Sequence, residues 1–228
     1  MNYTWLLFDA DNTLLDFNAA ERVSLISALS EQGIPVDETM ISTYHTINSA
    51  IWKQIETGEF DRENLNAVRF SRLSEHFGFT CDVDRMGRSF FACMEQQKQL
   101  IDGALSLCQT LAERYSLYMI TNGTARIQHG RLDGTPLLDC FDGMFISQEV
   151  GAEKPSVAFF DAVAGGIPGF SPESALVIGD SLSSDIAGGI AAGIDTCWYN
   201  PSKKSCPDHI TPTYTVSDYT ELRRLLSV

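Results

Sequence analysis

Basic residues are scarce in this chain. Sixteen lysines and arginines face thirty aspartates and glutamates, so the 228 residues carry a net charge of −14. A surface this acidic repels polyphosphate backbones and anionic lipid, so neither a nucleic-acid polymer nor a membrane is expected as a partner. Long apolar runs are missing as well, and none approaches the roughly 18 residues of a membrane span. Met1-Asn2-Tyr3-Thr4-Trp5 places no basic charge ahead of its short apolar segment, so a secretory signal is not expected. The six cysteines (81, 93, 108, 140, 197 and 206) form no C-x-x-C pair and no metal-ligand spacing. They read as reduced, mostly buried thiols of a cytoplasmic protein. His45, His76, His129 and His209 lie apart without metal spacing. What is present, 44% apolar and 20% charged residues, supplies ample material for a core. At about 150 residues per domain, the length suits one domain with a sizeable insertion, or two small domains.

The hydropathy pattern changes period twice. Tyr3–Phe8 is short, aromatic and apolar and stops at Asp9, as a strand buried on both faces does. Residues 17–100 then read as helices only. Asn18 is placed to cap a first helix carrying Val23, Ile26 and Leu29. Met40, Tyr44, Ile47, Ile51 and Ile55 form the apolar face of a second, ended by Gly58. Two more run through Leu65–Phe77 and Val83–Met94. After Asp102-Gly103, helices and strands alternate to the end of the chain. Lys154-Pro155 is expected to open a helix with proline in its first turn, and Ser217 to cap the last helix. Such alternation predicts an α/β fold, a doubly wound parallel sheet with a Rossmann-like core. The predicted organisation is a core of residues 1–16 and 101–228, with an all-helical insert over 17–100.

In open parallel sheets, ligands bind outside the carboxyl ends of the strands. Here the first strand ends in Asp9-Ala10-Asp11-Asn12-Thr13-Leu14, a later one in Thr121-Asn122-Gly123, and another in Gly179-Asp180. Lys154 falls in the loop between the last two. The pattern Asp-x-Asp-x-Thr-Leu arises by chance with a probability on the order of 10⁻³ in a chain this long. A calcium loop would need glycine at its sixth position and glutamate at its twelfth, where Leu14 and Ala20 stand. Taken alone, Thr121-Asn122-Gly123 is an ordinary strand-end turn and Lys154 a surface lysine. Together the four stretches deliver acids, a hydroxyl and an amine to one edge.

Those four stretches, with Lys154-Pro155 and Gly179-Asp180-Ser181-x-x-x-Asp185, resemble the ordered motifs of the haloacid dehalogenase superfamily. The resemblance spans essentially the whole chain, with the helical block in the place of that superfamily's cap. Within the superfamily the chain is most similar to the bacterial pyrimidine 5′-nucleotidase type. That likeness rests on Tyr44-x-x-x-Asn48-x-x-x-Trp52, Gly58, Leu65, Arg69-Phe70, Gln128-x-x-Arg131-Leu132, Phe141-Asp142, Ile146-Ser147-x-Glu149-Val150-Gly151 and Cys197-Trp198-x-Asn200. Asp133-Gly134-Thr135-Pro136 departs from it, cutting short a helix that is longer in relatives.

The resemblance implies a magnesium-dependent phosphatase. Asp9 would attack phosphorus to form an aspartyl-phosphate, and Asp11 would protonate the leaving oxygen and then activate water. The superfamily's true dehalogenases lack this second acid. Lys154 would bridge Asp9 and the phosphate as a point charge, while the Thr121 hydroxyl and the Asn122 backbone N–H hold phosphoryl oxygens. Mg²⁺ would be held by Asp9, Asp180 and the Asp11 carbonyl. For Asp185, a place in the metal shell and a charge against a helix dipole both stay open. Asn48, Trp52 and Arg69 would contact the leaving group, with Trp52 stacking on a base; packing inside the helical unit is the competing reading. The expected substrate is a small phosphate monoester, a pyrimidine or deoxy nucleoside monophosphate. A sugar-phosphate or phosphoglycolate phosphatase, a phosphomutase and a phospho-receiver module are the alternatives.

Overall fold

The computed structural model describes residues 3–228. Met1 and Asn2, which open the segment where no secretory signal is expected, lie outside the described residues. The chain divides into two compact units, Phe17–Gln97 and the combination of Met1–Asp16 with Lys98–Val228. The division falls three residues before the expected one. Residues 99–101 are tied to 14–16, because Asp16 N–H donates to Gln99 O at 2.9 Å and Ile101 N–H donates to Leu14 O at 2.9 Å.

The first of these units is helical: α1 (Phe17–Glu31), α2 (Glu38–Glu56), α3 (Leu65–Phe77) and α4 (Val83–Met94). The Asp37 side chain caps α2 by accepting from Met40 N–H, and Asp82 caps α4 by accepting from Arg85 N–H. Gly78 ends α3 at φ +69°, a left-handed turn that suits glycine. Tyr44, Phe70 and Phe90 pack with ring centroids 5.5–5.7 Å apart, joining α2, α3 and α4. The first helix departs from its predicted phase. Asn18 lies inside α1, Val23 is exposed, and the buried face runs through Ala20, Glu21, Ser24, Leu25, Ala28 and Leu29. Two polar residues sit on that face because both are satisfied there. Ser24 Oγ donates to Ala20 O, and Glu21 binds Asn48 and His45.

The other unit is a sheet covered by helices. Its strands are β1 (Trp5–Phe8), β2 (Ser116–Thr121), β3 (Gly143–Ile146), β4 (Ala175–Gly179), β5 (Asp195–Tyr199) and β6 (Tyr214–Val216). They lie in the order β3-β2-β1-β4-β5-β6, and every neighbouring pair is parallel. Its helices are α5 (Ala104–Ala112), α6 (Ala125–Leu132), α7 (Ser147–Val150), α8 (Val157–Gly166), α9 (Ala187–Ala191) and α10 (Tyr219–Leu226). Alternate residues of β1 face opposite sides. Leu6 and Phe8 pack with Leu107, Leu111, Leu222 and Leu226 from α5 and α10, whereas Leu7 packs with Phe159 and Val163 from α8. Each such fully buried side chain is worth roughly 1.5–3 kcal/mol. The predicted α/β, doubly wound architecture is the one observed.

Three local expectations are corrected. Pro155 precedes α8 rather than opening it. Its bond to Lys154 is cis, and Ser156 caps the helix by accepting from Phe159 N–H. Asp218, not Ser217, caps α10. Its side chain accepts from Glu221 N–H, while the Ser217 hydroxyl and N–H both donate to Glu221 Oε2. The thiols are less buried than expected, with Cys108 and Cys197 buried, Cys206 exposed and the other three between; all six are free. No helix among the described residues is long and apolar enough to cross a membrane.

Candidate active site

The sheet order makes β1 and β4 neighbours at the place where the winding direction reverses, the crevice where ligands of open α/β sheets bind. Asp9 follows β1 directly and Asp180 follows β4. Beyond Asp9 the chain turns tightly, with Leu14 and Leu15 N–H both donating to Ala10 O and Asn12 at φ +59°. Asparagine tolerates that left-handed conformation better than most residues. The turn brings Thr13 back, so its hydroxyl donates to Asp9 Oδ2 at 3.1 Å and accepts from Asp180 N–H at 3.1 Å. Tyr219 OH holds the Thr13 carbonyl at 2.6 Å, and Trp198 Nε1 donates to Asp180 O at 2.9 Å.

Lys154 is 1% exposed and spends all three ammonium protons. Nζ donates to Asp9 Oδ1 at 2.8 Å, Asp185 Oδ1 at 2.7 Å and Ile120 O at 2.9 Å. Its backbone is clamped by Asn122, whose Nδ2 donates to Lys154 O at 2.8 Å while its Oδ1 accepts from Lys154 N–H at 2.9 Å. Asp185 also accepts from Ser181 N–H at 3.1 Å. Its carboxylate lies against the Gly179 backbone, where a Cβ would come within 2.2 Å of Oδ2. Only glycine at the end of β4 leaves room for it.

Asp9, Asp180 and Asp185 each offer one carboxylate oxygen, and these lie within 4.8 Å of one another. One lysine cannot neutralise them. Burial pushes the Asp9 carboxyl well above its ordinary range; Lys154 opposes this, and Asp185 and Asp180 add to it. Asp180 is raised to about 7, by burial first and then by Asp185. Burial disfavours the Lys154 charge, but Asp185 and Asp9 outweigh it and hold the ammonium above its usual range. Hard oxygen donors short of positive charge fit a divalent cation such as magnesium.

Thr121 and Asp11 meet through α6. Gln128 Nε2 donates to Thr121 Oγ1 and to Asp11 Oδ2, both at 2.8 Å, and the buried Arg131 forms an ion pair with the partly exposed Asp11 at Oδ1. Thr121 Oγ1 also accepts from Gly123 N–H at 2.9 Å, leaving its own proton to be donated. Gln128 and Arg131 stand out in the sequence by resemblance alone, which assigns them no role. Their one local signal is a three-residue spacing that puts both on one helix face.

The structure therefore gathers Asp9, Asp11, Thr121, Asn122, Lys154, Asp180 and Asp185 at one edge. Asn48, Trp52 and Arg69 lie in the helical unit. Asn48 Nδ2 donates to Glu21 Oε1 at 2.6 Å, and its Oδ1 accepts from Arg69 at 3.3 Å. The Arg69 guanidinium is buried 4.3 Å from the Phe90 centroid. Trp52 is half-buried against Ile51, Ile55 and Leu65, with Arg62 over its ring at 5.0 Å.

Residues 3–193 match the model of the haloacid dehalogenase-like hydrolases. The chain belongs to that family. It is 42% identical to the pyrimidine 5′-nucleotidase PynA of Streptococcus pneumoniae, over 97% of this chain and 94% of that protein. It is 31% identical to the pyrimidine 5′-nucleotidase YjjG of Escherichia coli, over 99% of each. The HAD-hydrolase YfnB of Bacillus subtilis is 39% identical, and its magnesium-bound crystal structure superposes over the full length of both chains with a TM-score of 0.95. Membership of a hydrolase family sets aside the phospho-receiver alternative.

Proposed function

We propose that the protein hydrolyses phosphate monoesters through Asp9, and that its substrates are pyrimidine or deoxy nucleoside 5′-monophosphates. One observation carries the chemistry: a buried carboxylate held by a buried lysine, with a second carboxyl two residues later at the same strand end. The substrate class rests on the similarity to two pyrimidine 5′-nucleotidases over nearly the whole chain.

In this reading Asp9 attacks phosphorus and becomes an aspartyl-phosphate, as the bond to the leaving oxygen breaks. Asp11 gives that oxygen its proton, then takes one from the water that cleaves the Asp9–phosphorus bond. Lys154 holds Asp9 and a phosphoryl oxygen together, and the Thr121 hydroxyl and Asn122 N–H bind the others. Magnesium, held by Asp9, Asp180, Asp185 and the Asp11 carbonyl, would supply the charge that keeps Asp9 ionised and neutralises the phosphate. Within the helical unit, the half-buried Trp52 ring is of the kind that stacks on a base. Asn48 and Arg69 hydrogen-bond within that unit, Asn48 to Glu21 and Arg69 to Asn48 and Asn66.

A panel of UMP, dUMP, dTMP, phosphoglycolate and sugar phosphates, assayed by phosphate release with magnesium, tests the substrate class. Faster turnover of the nucleotides is expected; preference for phosphoglycolate or a sugar phosphate overturns the nucleotide reading. Release of no phosphate alongside an isomerised product would make the enzyme a phosphomutase. The raised carboxyls add a pH dependence. Below about pH 7 a cation must displace a proton from Asp180, so the magnesium needed for half-maximal rate is expected to rise as pH falls. The slope is roughly tenfold per pH unit for each proton displaced. A requirement that stays flat from about pH 8 to pH 6 would contradict the cation's place among these acids.

A further inference from the structure

Asp11 has a donor on each carboxylate oxygen, and both donors come from α6. The Arg131 side chain is fully buried, whereas that of Asp11 is 24% exposed. Burying a guanidinium costs desolvation, which a partly solvated ion pair repays poorly as a matter of stability. The pair makes better sense as a device that aims Asp11. Gln128 extends it, since one amide nitrogen reaches both Asp11 Oδ2 and Thr121 Oγ1. Gly123 admits that amide, because a Cβ there would stand 2.3 Å from Nε2.

We infer that Arg131 and Gln128 are positioning residues for the acid–base group. They fix the direction of the Asp11 carboxylate, and Gln128 ties that direction to the hydroxyl expected to hold a phosphoryl oxygen. The inference rests on Asp11 being the acid and base proposed above. A misaimed Asp11 slows transfer to Asp9 only when the leaving oxygen needs a proton. The 5′ oxygen of a nucleotide departs as an alkoxide and needs one, whereas p-nitrophenolate leaves without one.

The test compares kcat/KM for UMP and for p-nitrophenyl phosphate in Gln128→Leu, Arg131→Gln and Arg131→Lys, with Asp11→Asn as reference. UMP gives way to the fastest sugar phosphate if the panel selects one. Both α6 deletions are expected to lose at least about tenfold on the nucleotide and less than about threefold on p-nitrophenyl phosphate, with partial recovery in Arg131→Lys. Equal losses on the two substrates, or no loss, overturn the inference. If Arg131→Gln does not fold, Gln128→Leu, which keeps every ion pair, decides alone. Asp11→Asn separates the two levels. If it shows no selectivity between substrates, the reading of Asp11 falls and the inference with it; if it does and the α6 variants do not, only the inference falls.

Discussion

An Asp9→Asn enzyme is expected to lose at least about 10⁴-fold in kcat for any phosphate monoester while remaining folded. The amide keeps the shape, and its oxygen can still accept from Lys154 while its nitrogen donates to Thr13 Oγ1. What it lacks is the nucleophile. The variant is also expected to melt, in the absence of divalent cation, no lower than the unaltered protein. Burial, Asp185 and Asp180 together raise the Asp9 carboxyl despite Lys154. A carboxyl raised in the folded state costs nothing below its unfolded value, and costs progressively more as pH rises towards the folded one. At neutral pH the neutral isostere removes that cost. Retained turnover eliminates Asp9 as nucleophile, and a collapse in melting temperature would mean that the Asp9–Lys154 pair holds the fold.

The second large effect is expected at Lys154. In Lys154→Gln, two buried carboxylates and the Ile120 carbonyl lose their shared donor. Breaking a buried pair by deleting one partner costs about 3 kcal/mol or more, because it strands uncompensated charge. For a chain of this size that lowers the melting midpoint by about 6–12 °C. Activity should fall by at least about 10³-fold, since the phosphate loses its fixed cation and Asp9 its restraint. Lys154→Arg is not expected to rescue, because a planar fork cannot converge on three acceptors gathered round one point. Near-normal stability with lost activity would make Lys154 a purely catalytic charge. Near-normal activity would remove it from the site.

The sheet and its reacting edge were legible because their signals are local. A buried strand announces itself by an apolar run, and the acids follow at once. Thus the sequence pattern alone sets Asp9, Asp11, Thr121 and Asp180 at one edge. Lys154 and Asp185 were harder, since what defines them is each other across 31 residues. No helical period or composition reports that contact. The Asn122 side-chain clamp on Lys154 and the Gln128 link between Asp11 and Thr121 have no sequence signal for the same reason: a side chain that bonds a distant partner leaves no pattern nearby. The phase of α1 was misread because hydropathy counts Glu21 as a surface residue, although Asn48 and His45 satisfy it in the interior. Ser217 and Asp218 are adjacent capping residues, and only geometry shows that the aspartate takes the helix N–H.

The most direct measurement is rapid acid quenching of the enzyme during turnover of a nucleotide with magnesium, followed by mass analysis of its peptides. A mass increase of one phosphoryl group on the peptide carrying Asp9, absent in Asp9→Asn, is the expected result. Phosphorylation of another residue, or steady phosphate release with no modified peptide at any quench time, would contradict it.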